Sequence, residues 1–128
     1  MGIEPCISDQ RLAVIAERER ICSISFPKSI REWYSIESIE ALFYENTNED
    51  DLTDLNELGD LSDIQQGYLC IATENQAVVA WYIKLDGSDD PPVFHNDDEW
   101  DKDLSTINWQ LCSETFSDFI FDIMSTEI

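Results

Sequence analysis

Basic side chains are what this chain has least of. Its 128 residues hold seven Lys and Arg and one His against twenty-eight Asp and Glu, a formal net charge of −21. The few cations are also unevenly placed. Residues 1–31 carry five of them (Arg11, Arg18, Arg20, Lys28, Arg31) with four acids, whereas residues 32–128 carry two, Lys84 and Lys102, with twenty-four acids. Direct binding to nucleic acid or to anionic lipid needs Lys and Arg, so both are excluded as expectations. The single histidine, His95, rules out a two-histidine metal site. With four glycines there is no P-loop and no G-x-G-x-x-G with which to cradle a phosphate. No apolar run approaches the length of a membrane span, and Met1–Cys6 lacks the apolar core of a signal peptide. Cys6, Cys22, Cys70 and Cys112 form no C-x-x-C pair and match no zinc spacing; with no N-x-S/T sequon either, they read as reduced thiols in a cytoplasmic protein.

What is present is enough apolar material to fold. A chain this acidic ordinarily stays open, because self-repulsion opposes compaction. Here 43% of residues are hydrophobic and 11% aromatic, so a packed body is expected to carry the charge. The length fits one domain over residues 1–128, which buries roughly two-thirds of its unfolded surface without needing a disulfide or a metal.

Hydrophobic spacing predicts the elements. A first helix is expected over residues 9–21, capped by Ser8 or Asp9, with an imperfect stripe of Leu12, Val14, Ile15, Ala16 and Ile21. Pro27 opens a short helix whose Ile30, Trp33 and Tyr34 fall at i, i+3 and i+4. A third helix, capped by Ser35 or Ser38, gathers Ile36, Ile39, Leu42 and Phe43. Residues 45–63 are polar and acidic, punctuated every third position by Leu52, Leu55, Leu58 and Leu61, and read as a loop or short helical turns pinned by those leucines. Gly59 suits a turn of positive φ. Tyr68–Thr73 reads as a strand buried on both faces. A turn at Glu74-Asn75-Gln76 leads to a second strand over residues 77–86, with Val79, Trp81, Ile83 and Leu85 on one face and Val78, Ala80, Tyr82 and Lys84 on the other. Residues 86–92 must form a loop, since Pro91-Pro92 cannot sit inside a sheet, and Val93–His95 can return as a third strand. Residues 96–105 read as acidic and exposed apart from Trp100. The last helix begins after Ser113 as N-cap, with Phe116, Phe119, Ile120, Ile123 and Met124 as its apolar stripe and Phe121 off it.

Catalytic machinery is not visible. His95 reads as a strand-end residue, and no cysteine has an activating context. With so many acids, carboxylate pairs arise by chance and point to no acid–base chemistry. Neither residues 86–98 nor residues 97–108 has the alternating acids, sixth-position glycine and twelfth-position glutamate of a calcium loop. The chain is expected to be no enzyme and to need no cofactor.

The segment Phe26-Pro27-Lys28-Ser29-Ile30-Arg31-Glu32-Trp33-Tyr34-Ser35-Ile36-Glu37 resembles the "LP-x-S-V-R-E-W-Y-x-L-E" opening of bacterial SUKH-superfamily proteins. Glu74-Asn75-Gln76-Ala77, continuing to Trp81 and then through Leu85-Asp86-Gly87-Ser88-Asp89-Asp90-Pro91-Pro92-Val93, is similar to a second segment of that group. Trp109 with Phe116-Ser117-Asp118-Phe119-Ile120 resembles a third. Ser38 and Ala77 stand where relatives often have glycine. The resemblance implies an α+β fold, with helices packed on a small, mainly antiparallel sheet, and function without catalysis. Many bacterial members are immunity proteins that bind and neutralise a toxin, often a nuclease. The family has no general catalytic motif to carry over, so Trp33, Tyr34, Trp81 and Phe116 read as core.

Charge and resemblance together give the functional expectation. This is an acidic binding protein that occludes a basic protein partner, a nuclease-type toxin being the leading case. Two alternatives stand beside it: a regulatory or scaffold module that binds a peptide or signalling protein, and a nucleic-acid-mimicking inhibitor. The expected contact residues are Glu49, Asp50, Asp51 and Asp54 in one acidic loop, and Asp89, Asp90, Asp97, Asp98, Glu99 and Asp101 in others. Trp100, a large apolar side chain among charges, is the expected anchor.

Overall fold

The computed structural model describes residues 7–47, 50–74, 79–96 and 109–125. They form an α+β fold of five helices and a five-stranded, wholly antiparallel sheet in the order β1-β2-β3-β4-β5. Each strand therefore pairs with its neighbour in sequence, the arrangement that short connections favour.

The helices α1 (Asp9–Cys22), α2 (Lys28–Tyr34) and α3 (Ile39–Glu45) come first. Ser8 caps α1 by accepting the Arg11 N–H, and Asp9 in the first turn and Arg20 in the last suit the helix dipole. The chain leaves α1 through Ser23 in the left-handed conformation, φ 56°. Only Ile15 and Cys22 of α1 are buried, while Leu12 and Ile21 are exposed, in keeping with the imperfect stripe. Pro27 takes the cap position of α2, whose Ile30 and Tyr34 are fully buried. Neither serine expected to cap α3 does so with its side chain. Ser38 precedes α3 in the left-handed region, and the Ser35 hydroxyl donates back to the Glu32 carbonyl.

Between α3 and the sheet, the leucine-punctuated segment makes β1 (Asp51–Leu52), one 3-10 turn (Leu55–Glu57) and α4 (Leu61–Gln65). Leu52, Leu55 and Leu58 are buried as expected. Leu61 is not: it opens α4 and is 51% exposed. Gly59 has φ +93°, and a Cβ there would lie 2.8 Å from Cys22 Sγ and 3.2 Å from Ile64 Cδ1, so both conformation and space require glycine.

The remaining strands are β2 (Tyr68–Thr73), β3 (Ala80–Lys84), β4 (Val93–Asn96) and β5 (Gln110–Ser113), followed by α5 (Phe116–Ser125). The period-2 reading of the second strand holds over the described residues 80–85, and β2 puts side chains into a cluster on each face of the sheet. Leu69, Ile71, Ala72 and Ile83 join the main core, with Trp81 and Leu85 packed against it, while Ala80 and Tyr82 enter a smaller cluster with Tyr68, Cys70 and Trp109 on the opposite face. A register shift between Cys70 and Ala72 marks a bulge in β2. The turn residues Asn75–Val78 lie outside the described residues; flanking them, the Glu74 N–H reaches the Val79 carbonyl at 2.9 Å.

The main core unites α1, α2, α3 and α5 with one sheet face, from Ile15, Phe26, Ile30, Tyr34 and Phe43 to Phe116 and Phe119. Burying each such side chain contributes about 1.5–3 kcal/mol. Trp33 meets Phe116 edge-on, and Trp81 meets Phe119 in a tilted contact, which fastens α5 to both α2 and the sheet. One sequence expectation for this region needs correction. Ser113 belongs to β5 and is not the cap of α5; Thr115 is, its hydroxyl accepting the Asp118 N–H. Phe121 stands 71% exposed, well off the stripe, and the side chain of Met124 lies outside the described residues.

Candidate partner-binding surface

The acids of this chain are local structure first. Asp54 accepts the Asn56 N–H at 2.9 Å and opens the 3-10 turn. Asp60 accepts the Ser62 N–H and opens α4. Asp86 accepts the Ser88 N–H at 2.9 Å in the β3–β4 loop. Short Asp side chains fold back on the backbone two residues on, which explains why aspartate outnumbers glutamate in these loops.

Of the expected contact residues, Asp51, Asp54 and Asp89 are exposed. Asp50 is only 7% exposed, with its N–H bonded to Thr47 Oγ1. Its carboxylate is thus part of the folded interior and not of a docking loop, because the chain turns inward there to enter β1. Asp90 is half-buried and its Oδ1 accepts the Ser117 N–H at 3.0 Å, so it caps α5 in company with Thr115. Asp89 supplies its carbonyl to the Ser29 N–H at 2.9 Å and leaves its side chain exposed. Glu49, Asp97, Asp98, Glu99, Trp100 and Asp101 lie outside the described residues.

Among the described residues the acids do not form one patch. Asp51 pairs with Thr73 at one end of β2, whereas residues 86–90 leave β3 beyond Lys84, which pairs with Tyr68 at the other. Five residue steps of strand separate the two ends, roughly 16 Å. The sequence reading missed the acids that join the second group. Gly67 bonds Leu85 through its carbonyl, and α4 just before it presents Asp60 and Asp63. Burial, with Asp60 beside it, raises the Asp63 carboxyl to about 6. The N-cap signature Asp60-Leu61-Ser62-Asp63 was the available signal for this placement.

The arginines of α1, by contrast, are engaged by the protein itself. Arg11 donates to the Tyr34 carbonyl at 2.7 Å and to Glu40 at 2.8 Å. Arg18 donates to the carbonyls of Leu58 and Gly59. Arg20 pairs with Glu17, which raises the guanidinium's pKa and lowers the carboxylate's, and Lys28 reaches Glu32 at 3.9 Å. Among the described residues, no ion pair neutralises Asp51, Asp54, Glu57, Asp60, Asp63, Asp86 or Asp89.

Burial, the larger cause, lifts the Cys70 thiol to about 11, and it raises Tyr34 and Tyr82 as well. These groups stay protonated at neutral pH and serve as packing. His95 lies within β4, in register with Trp81 and Gln110. Among the described residues no group of His, Cys, Asp and Glu is placed to hold a metal, and no helix is long and apolar enough to cross a membrane. A groove of about 440 Å³ runs between α2 and α5 over Trp33, Ile36, Phe116 and Ile120. The Ser29 hydroxyl and the Trp33 indole N–H beside it have no hydrogen-bond partner among the described residues, and both atoms are sealed from solvent.

Comparison with known protein families, with curated proteins and with solved structures finds no match for this chain.

Proposed function

We propose that this is a non-catalytic binding protein that neutralises a basic protein partner, in the manner of an immunity protein set against a nuclease-type toxin. The observation that supports the reading is the asymmetry of charge pairing: Arg11 and Arg18 are engaged within the fold and Arg20 pairs with Glu17 on its own helix, while among the described residues no ion pair compensates the acids of residues 51–63 and 86–89. A nuclease holds phosphate with Lys and Arg, and a folded polyanion is the electrostatic complement of such a surface. The resemblance of residues 26–37, 74–93 and 109–120 to SUKH-superfamily segments adds the toxin-neutralising role. The field also steers encounter, raising association rates toward about 10⁸–10⁹ M⁻¹s⁻¹ at low salt.

The test is affinity capture from the native cell with the tagged protein at low salt and in about 1 M NaCl, where the Debye length falls to roughly 3 Å. The expected result is one dominant basic partner, retained at low salt and weakened at high salt, whose nuclease activity the pure protein abolishes. Reversal of the exposed Asp51, Glu57 and Asp89, whose side chains cap no helix, to lysine should weaken the capture. A partner that is neutral or acidic, or one held equally in both salts, overturns the reading.

A further inference from the structure

We propose that the open edge of β5 is the docking edge for that partner, accepting an extended, cationic segment by strand addition. The inference rests on the reading above that the partner is basic, and it names the surface and the form of the contact.

The two edges of the sheet are built differently. β1 is two residues long and begins with a charge, Asp51, both of which blunt an edge against further pairing. β5 is four residues long, Gln110-Leu111-Cys112-Ser113, with no charge and no proline, and its first three residues are exposed. Among the described residues it pairs only with β4. Alternate residues of an antiparallel edge strand direct N–H and C=O groups outward, so β5 offers main-chain bonds to an incoming strand.

An apolar anchor lies on this edge. Leu111 is in register with Phe94 and through it with Tyr82, which places it on the sheet face of the smaller cluster. It is 57% exposed. A strand laid along β5 would direct every second side chain to that face.

Charge decides the occupant. Glu114, Asp118 and Asp122 are exposed beside β5, none is in an ion pair among the described residues, and no Lys or Arg follows Lys102 in the sequence. Asp122 is near enough to act on the Cys112 thiol, raising its pKa together with burial, the larger cause. A second copy of the chain would bring −21 against −21 and set these three carboxylates against their own equivalents. A segment with Lys or Arg on the α5 side and an apolar residue over Leu111 meets acids and anchor together.

The edge can be probed with a nine-residue synthetic peptide alternating lysine with valine or threonine. Two controls are needed: the same peptide with two internal prolines, which keeps the charge but cannot pair, and a version with glutamate for lysine. Amide hydrogen exchange is read by NMR on the full chain at low salt. The expected result is exchange slowed at least about tenfold at Gln110–Ser113 by the lysine peptide alone. Equal effects of the proline and lysine peptides, changes confined to residues 51–63, or protection that grows with protein concentration without peptide each overturn the edge proposal. Capture from the native cell separates this from the reading beneath it. A basic partner still captured undiminished by Leu111→Lys combined with Asp118→Lys and Asp122→Lys overturns the docking edge and leaves the basic partner standing. Loss of capture in that variant, with unchanged melting temperature, supports the edge. Failure of the unmodified chain to capture any basic partner overturns both.

Discussion

The Asp90 carboxylate holds the backbone N–H of Ser117 across twenty-seven residues of sequence, at 3.0 Å. A loop acid thereby ties the β3–β4 connection to the start of the last helix, and a residue expected to meet a partner meets α5 instead. Replacing Asp90 by alanine should cost about 1 kcal/mol of stability, the usual worth of a helix cap, whereas asparagine should retain most of it. Urea unfolding of the two variants checks this. Equal losses would mean that charge, and not the hydrogen bond, is what Asp90 supplies.

Gly59 is the most closely packed of the described glycines. Gly59→Ala must place a methyl group against Cys22 and Ile64 at positive φ, with a loss of about 1–3 kcal/mol expected. Adding Cys22→Ala should recover part of it, because the closest contact, at 2.8 Å, is the Cys22 sulfur. A double-mutant cycle of denaturation midpoints measures the coupling.

Tyr34 is fully buried and donates its hydroxyl to the Thr53 carbonyl at 2.7 Å, joining α2 to the chain between β1 and the 3-10 turn. Tyr34→Phe leaves that carbonyl without its donor and should destabilise by about 1–2 kcal/mol. The hydrogen exchange of residues 50–58 should quicken more than that of α5.

Asp63 predicts an inverse pH dependence. Its carboxyl titrates near 6 in the folded chain, from burial and the neighbouring Asp60, against about 3.9 in an unfolded one. Between those values the folded state holds a proton that the unfolded state has lost, so this group's contribution to stability is fully present below about pH 3.9 and falls away as pH rises through 6. Asp63→Asn should therefore be more stable than the parent at pH 7 and closer to it at pH 4. Denaturation at both pH values tests the sign.

Self-repulsion of the uncompensated acids should also appear in bulk. Moderate NaCl, which shortens the Debye length to about 10 Å at 0.1 M, should raise the melting temperature of the free protein while it weakens partner capture. Calorimetry across a salt series gives the first effect directly.

Much of the fold was legible because its signals are local. The period-2 pattern around Trp81 and Ile83 sets β3 against β2. The i, i+3 pair Phe116 and Phe119 sets α5 on the core, and Pro91-Pro92 marks the break before β4. β5 was not legible: Gln110-Leu111-Cys112-Ser113 has no periodic or β-branched signal, and it is a strand because β4 offers it a ladder. The same limit applies to the candidate surface. The acids of residues 51–63 could be read as a charged segment, but nothing in their spacing tells the inward Asp50 from the outward Asp51, nor assigns Asp90 to a helix cap.

The sequence alone determined the charge imbalance and the helical and strand periodicities, because these depend on composition and on neighbours within four residues. Only the folded chain decided which acids stay uncompensated, since Arg11 and Arg18 find their partners twenty-three to forty-one residues away. Which strands lie at the two ends of the sheet, β1 and β5, was decided there too. Such pairings follow from the path of the backbone through space, and no short window of residues encodes it.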